Sequence, residues 1–327
     1  MRSIADLGEN VKILAKDNDH ALLQIKDGTG EGLMTIYIPF EGVLINISDM
    51  HMQCCESGFI LEDNAEVICF DYCREGRMEQ QSDKGISTVL QEGQLRIDDR
   101  KTHTGHVFFP LRHYHGVSIY MDIVCAKHGI DSVMPGFPVH LRQLRKKFCA
   151  DGIPYVLKND STIEGIMADI QDSPTNISAD YYKLKILELL LYLETVEIKN
   201  DNKKKTYFFQ NAGDKLREIH TQITENPALH FTIKELSEEF DIPQTELKKS
   251  FKEMYGDSIY SYLKRYRINL AASMLIKDQD KNVSEIAHAV GYESTGKFSA
   301  AFKQVLGSTP LDYRKHRSDK ADSLMNL

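Results

Sequence analysis

Residues 283–310 read VSEIAHAVGYESTGKFSAAFKQVLGSTP, and their spacing decides the fold of the second half of the chain. Val283, Ile286, Ala287 and Val290 fall on one face at helical spacing, and the small Ala287 leaves room for a neighbouring helix. Gly291 comes next, free to adopt the left-handed backbone that a sharp turn needs. Ser294 then stands where a hydroxyl can accept a hydrogen bond from a free amide of a second helix, which Phe298, Phe302 and Val305 or Leu306 anchor. Two short helices joined by such a turn make a helix-turn-helix.

A degraded copy lies about 50 residues earlier, TIKELSEEFDIPQTELKKSFKEMYG at 232–256. Ile233, Leu236 and Phe240 face inward from its first helix, and Leu247, Phe251 and Met254 from its second. Ser237 takes the small-residue place, and Asp241 stands where the other copy has glycine; aspartate tolerates positive φ better than most side chains. Between the copies, Ser258 to Ile276 reads as one helix of about 28 Å at about 1.5 Å per residue. That length can hold two recognition helices roughly one DNA turn, about 34 Å, apart. With helices also read at Asn211–Gln222 and a final turn at Leu311–Arg314, residues 211–317 are expected to be all-α.

The first half reads differently. From about residue 20 to 125, short apolar runs such as LMTIYIPF, GVLINIS, AEVICFDYC and GVSIYMDIV are broken by turn signals, which predicts an antiparallel, cupin-like sandwich or barrel. Helices are expected over 139–197. STIEGIMAD opens with a capping box of Ser161 and Glu164. Ala179–Glu197 carries Tyr182, Ile186, Leu189, Leu190 and Leu193 on one stripe, widened by Leu187 and Leu191; it can dock on its own domain, form a dimer seam, or do both. KNDNKKK at 199–205 lacks apolar residues and marks a linker. The expected organisation is α+β: an effector-binding or dimerisation domain at 1–198, a linker at 199–210, an all-α domain at 211–317 and a tail at 318–327.

Hydrophobic residues are 42% of the 327 and charged residues 27%, a balance that supports packed cores rather than disorder. The net charge of −8 argues against a nucleic-acid partner only until it is mapped. Residues 1–206 hold 23 Lys/Arg against 31 Asp/Glu, whereas 207–317 hold 16 against 15, so the acidity sits in the first half. No apolar run reaches the length of a membrane span and the N-terminus lacks a secretory apolar core, so a cytoplasmic location is expected. The six cysteines show no C-x-x-C or zinc-ribbon spacing and read as reduced thiols.

Four motifs in order give residues 211–317 a resemblance to a known family. They are R-x-x-x-A-A-x-x-L (Arg267, Ala271, Ala272, Leu275), I-A-x-x-V-G-Y (Ile286–Tyr292), F-S-x-x-F-K (Phe298–Lys303) and G-x-T-P-x-x-Y-R (Gly307–Arg314). The segment resembles the DNA-binding domain of the AraC/XylS family of bacterial transcription regulators, and Leu247–Gly256 resembles its pyochelin-regulator branch. The resemblance implies a transcription factor, activator or repressor, with both second helices in successive major grooves of double-stranded DNA. Carried over by position, base-facing candidates are Thr245, Lys248 and Lys249, then Thr295, Gly296, Lys297 and Ala300; Lys252, Lys303 and Arg314 are phosphate candidates. Longer polar side chains are usual in the family at Gly296 and Ala300, where Ala300 offers contact with a thymine methyl. The resemblance also implies a small-molecule effector on the first domain that alters DNA affinity or contact with RNA polymerase.

For that effector, Phe40, Phe59, Phe70, Phe108, Phe109 and Tyr114 are candidate pocket residues. His103, His106, His113 and His115 raise the idea of a cupin metal, but the cupin spacing of histidines, glutamate and glycines is missing, so no metal or other cofactor is assigned. The alternative, a cupin-type metal-dependent enzyme fused to a DNA-targeting module, lacks identifiable catalytic groups: nucleophile elbow, phosphate loop and H-E-x-x-H are all absent. The chain is therefore read as a regulator and not an enzyme. Arg142–Lys147 in VHLRQLRKKF are candidates for a ligand or for the second domain.

Overall fold

A computed structural model of the chain describes residues 10–17, 20–56, 65–82, 87–100, 103–150, 152, 154–158, 160–173, 179–198, 213–278 and 280–315. The expected linker at 199–210 and the tail at 318–327 lie outside them, as does Phe59. The chain divides into two compact units, 1–203 and 204–327, the first β-rich and the second helical.

The first unit begins with four antiparallel strands, β1 (Val11–Lys16), β2 (His20–Asp27), β3 (Gly30–Phe40) and β4 (Val43–His51), each paired to the next. After them come β5 (Cys54–Glu56), β6 (Val67–Ser82), β7 (Ser87–Gln91), β8 (Gln94–Asp99), β9 (His103–Phe108) and β10 (Tyr114–Asp122). The main sheet runs β1-β2-β3-β4-β10-β6-β8-β11, where β11 is Tyr155–Lys158. β6 bends between its halves: Ile68–Cys73 pair with β8, while Arg77–Gln81 pair with β7 in a second layer completed by β9 and β5. This is a half-barrel, in keeping with the cupin-like expectation.

Alternation along the strands builds two cores. Val43, Ile45, Ile68, Phe70, Ile97, Val117 and Ile119 face the helices. Leu23, Met34, Leu44, Met50, Cys73, Leu90 and Tyr114 face the barrel interior. The helical layer comprises α1 (Ile123–Val133), α2 (Leu141–Cys149), α3 (Ser161–Gln171) and α4 (Ala179–Thr195).

Several expectations are corrected here. β1 lies before the expected β-rich region, β11 interrupts the expected helical stretch, and α1 occupies 123–133, outside every helix expected from the sequence. α1 carried a legible signal: Asp122 accepts hydrogen bonds from the amides of Val124 at 3.1 Å and Cys125 at 3.0 Å, an N-cap. The Ser161–Glu164 capping box is not formed; Asp160 caps α3, accepting from the Thr162 and Ile163 amides at 3.1 Å. α4 docks on its own domain through Tyr182, Ile186, Leu187, Leu189, Leu190 and Leu193, leaving Leu184 and Leu191 exposed at 65% and 44%. Leu191 therefore belongs to solvent and not to the docking stripe.

The second unit holds α5 (Gly213–Glu225), α6 (Ile233–Glu239), α7 (Gln244–Tyr255), α8 (Ile259–Lys277), α9 (Val283–Ala289) and α10 (Thr295–Leu306), with a last helical turn over 310–315. At 100° per residue, Ile259, Tyr262, Leu263 and Tyr266 lie on one side of α8 and Ile268, Ala271, Ala272 and Leu275 on the other. All eight are buried. The first set meets α7, with Phe251 and Tyr255 ring-packed on Tyr262 at 5.6 and 5.4 Å. The second set forms one core with Ile286, Ala287, Val290, Phe298 and Phe302. One rod thus carries a helix-turn-helix on each flank.

Candidate nucleic-acid interface

Each unit is locked from its first helix inward. Thr232 and Asn282 head α6 and α9 in closed capping boxes with Glu235 and Glu285. Both helices end the same way. The Ile242 amide donates to the Ser237 carbonyl at 3.1 Å, and the Tyr292 amide to the Ala287 carbonyl at 2.9 Å. The left-handed residue in each turn is the one expected, Asp241 at φ +49° and Gly291 at +87°. Asp241 is supported from outside: the Ser237 hydroxyl donates to the Ile242 carbonyl at 2.7 Å, and the Lys215 ammonium to the Asp241 carbonyl at 3.3 Å. At Gly291 a side chain has no room, since a Cβ would lie 2.9 Å from the Ala228 Cα and the Pro227 carbonyl oxygen.

The second turn is one residue longer than the first. From Thr232 to Asn282 the copies differ by 50 positions, but from Leu247 to Phe298 and from Gly256 to Gly307 by 51. Thr245 therefore matches Gly296 on the recognition helices, Lys248 matches Ser299, Lys249 matches Ala300 and Lys252 matches Lys303. Ser299 is a position that sequence reasoning misses, because a single offset hides the extra turn residue.

On α7, Leu247, Phe251, Met254 and Tyr255 are buried, while Thr245, Lys248, Lys249 and Lys252 are exposed. On α10, Phe298, Ala301 and Phe302 are buried; Gly296, Lys297, Ala300 and Lys303 are exposed, and Thr295 is half-buried with its hydroxyl donating to Ser284 at 3.2 Å. Among the described residues, Lys248, Lys249, Lys252, Lys297 and Lys303 have no carboxylate within 4.0 Å, so their charges are uncommitted. Arg314 is placed otherwise. Its guanidinium donates to the Leu275 and Lys281 carbonyls at 3.2 and 2.8 Å, bracing the last turn against the end of α8. Arg267 is a brace too: it donates to the Leu229 carbonyl at 2.9 Å, and burial lowers its pKa against the opposing influence of Tyr292.

The first unit does not bring the five described effector candidates together. Phe40 and Phe70 sit in the helix-side core, Phe109 and Tyr114 stack at 5.3 Å in the barrel core, and Phe108 is 44% exposed. The barrel interior instead holds a charged cluster that sequence reasoning misses. Buried Arg96 donates to Asp71 at 2.7 Å, Gln80 at 2.6 Å and Thr88 at 3.1 Å, and lies 3.3 Å from Asp98. Burial opposes its charge, but Asp71 and Asp98 outweigh that cost and raise its pKa. Alternation was the available signal, since Arg96 lies on the inward side of QLRID, but sequence alone did not say which side was inward.

Other candidates have local partners. Arg145 pairs with Asp99 and Glu66, Arg142 with Glu66 at 3.2 Å, and Lys147 donates to the Leu193 and Glu194 carbonyls at the end of α4. All six cysteines are free thiols, and burial pushes Cys55 and Cys149 up to about 12, so both stay protonated near neutrality. No helix among the described residues is long and apolar enough to cross a membrane.

Residues 236–316 match the helix-turn-helix domain family. Over 96 residues the chain is 40% identical to a putative AraC-like transcription regulator of Streptomyces lividans, a match covering 29% of this chain and 31% of that protein. It is 26% identical over 137 residues to the HTH-type transcriptional activator RhaR of Yersinia pseudotuberculosis, covering 42% and 47% respectively. The match thus spans about a third to a half of the length of these relatives. Among solved structures, the C-terminal domain of AraT, a response regulator from Geobacillus stearothermophilus, aligns at 26% identity and a TM-score of 0.31 over 33% of this chain and 88% of that one.

Proposed function

Taking as premise that the helical unit is an AraC/XylS-type helix-turn-helix domain, we propose that the whole chain is a sequence-specific transcriptional regulator of the cytoplasm, and not an enzyme. The observation that carries this reading is the row of uncommitted, exposed lysines on α7 and α10, each helix anchored to α8 by its opposite face. Cations so placed neutralise phosphates and release counterions. In this reading α7 and α10 enter successive major grooves, and an effector on the first domain alters DNA affinity or contact with RNA polymerase. An effector changes activity only by the difference in its affinity for two arrangements. Exposed Leu184 and Leu191, one heptad apart on α4, support a homodimer through 179–197.

The test uses a DNA fragment recovered by mapping genomic binding sites. Log affinity should fall steeply with log salt, and Lys248→Ala with Lys249→Ala should weaken binding about tenfold and flatten the slope by about two. Binding indifferent to salt, or untouched by the double substitution, overturns the proposal.

A further inference from the structure

Strands β4, β10 and β6 are neighbours, and their register sets Asp49 opposite His115 and His115 opposite Glu75. A row of two carboxylates and an imidazole therefore crosses three strands. His51 stands two residues beyond Asp49, and His113 two before His115. By alternation Asp49 and His51 continue the Ile45 side of β4, which faces the helices and not the barrel interior. The spot is separate from the Arg96 cluster.

Asp49, His51 and His113 each bring a ligand atom within 4.8 Å of the other two. The His51 Nε2 lies 2.9 Å from Asp49 Oδ1, close to the spacing of about 3.0 Å between two ligands at right angles around an ion at about 2.1 Å. The His51 and His113 rings are 5.1 Å apart. His113 Nε2 is 3.2 Å from Glu75 Oε2, an arrangement in which the Nε2 hydrogen goes to the carboxylate and Nδ1 keeps its lone pair. That Nδ1 is buried and makes no hydrogen bond within the protein. A buried acceptor left alone is costly, and a cation is one partner that relieves it. The turn that carries His113 is held on both sides: Arg112, in the left-handed region at φ +53°, hydrogen-bonds to the Thr29 carbonyl, and Gly76 passes so close that a Cβ would lie 2.1 Å from the His113 carbonyl oxygen.

We propose that Asp49, His51 and His113 bind one divalent transition-metal ion, with Glu75 orienting the His113 ring. Two imidazoles and one carboxylate suit zinc, iron(II), manganese or nickel, whereas magnesium and calcium prefer oxygen alone. His51 and His113 are only 6% and 12% exposed, so the ion enters a largely enclosed position. An occupied site ties the end of β4 to the turn before β10.

The experiment takes the full chain, strips it with chelator and titrates Zn2+ by calorimetry. One equivalent is expected, with Asp49→Asn and His113→Gln each weakening binding at least tenfold and Glu75→Gln weakening it about 10- to 100-fold, as loss of an orienting carboxylate does. His106→Gln, an exposed histidine outside the cluster, should change nothing. No stoichiometric uptake, unchanged binding in all three cluster variants, or equal loss in His106→Gln overturns the site. Should a variant fail to fold, imidazole NMR of the natural chain decides: Zn2+ must shift the His51 and His113 resonances, and shifts confined to exposed histidines refute the assignment.

Discussion

Along α7 the outward positions are Thr245, Lys248, Lys249 and Lys252; at the matching positions of α10 stand Gly296, Ser299, Ala300 and Lys303. Beneath these surfaces the two units are built alike, with closed capping boxes, a left-handed turn residue, Phe251 or Phe302 at the centre and a left-handed glycine, Gly256 or Gly307, at the end of the recognition helix. The skeleton is duplicated and the surface is not. Long cations on α7 suit reaching out to phosphates and bases, whereas small residues on α10 let a backbone come close to its target.

Equivalence of the cores is tested by the largest effect. Phe251→Ala and Phe302→Ala each remove a ring with no solvent exposure and should each cost about 3–5 kcal/mol. Urea unfolding measures this, and a loss in one unit only would show that the shared design is superficial. The turns should respond unequally. Gly291→Ala combines positive φ with a clash against Ala228 and Pro227 and should cost at least about 2 kcal/mol. Asp241→Gly should move stability by less than about 1 kcal/mol, because aspartate already accepts its left-handed backbone. The surfaces are probed by the smallest change. Ala300→Lys copies Lys249 onto the second unit and should tighten DNA binding about threefold and steepen its salt slope by about one. An unchanged slope would place Ala300 away from phosphate.

The legibility of each part depends on how local its physics is. The helix-turn-helix pair was readable because caps, a turn residue and an apolar stripe all act within a few positions, and even the aspartate standing in for glycine at 241 was recoverable. The extra residue in the second turn was hidden, since it changes no residue type and only shifts the numbering offset along the recognition helix. Arg314 looked like a phosphate ligand by position, but its orientation depends on carbonyls at Leu275 and Lys281 that no local pattern marks. The barrel was readable as a class and not in its contents. Its strands carry apolar residues on both faces, so Phe40 and Phe109 looked like neighbours, and nothing in the pattern singled out Arg96. β11 escaped because four residues inside a helical stretch become a strand only by pairing with β8.

α8 belongs to both cores, on opposite flanks, and this makes its length a phase setting. Adding or deleting one residue near Arg267 would turn one reading head about 100° against the other while sliding it about 1.5 Å. Under the proposed function, exposed side chains on α7 and α10 can be exchanged without touching that setting, whereas the nineteen residues of the rod fix the angle and the distance between the two heads.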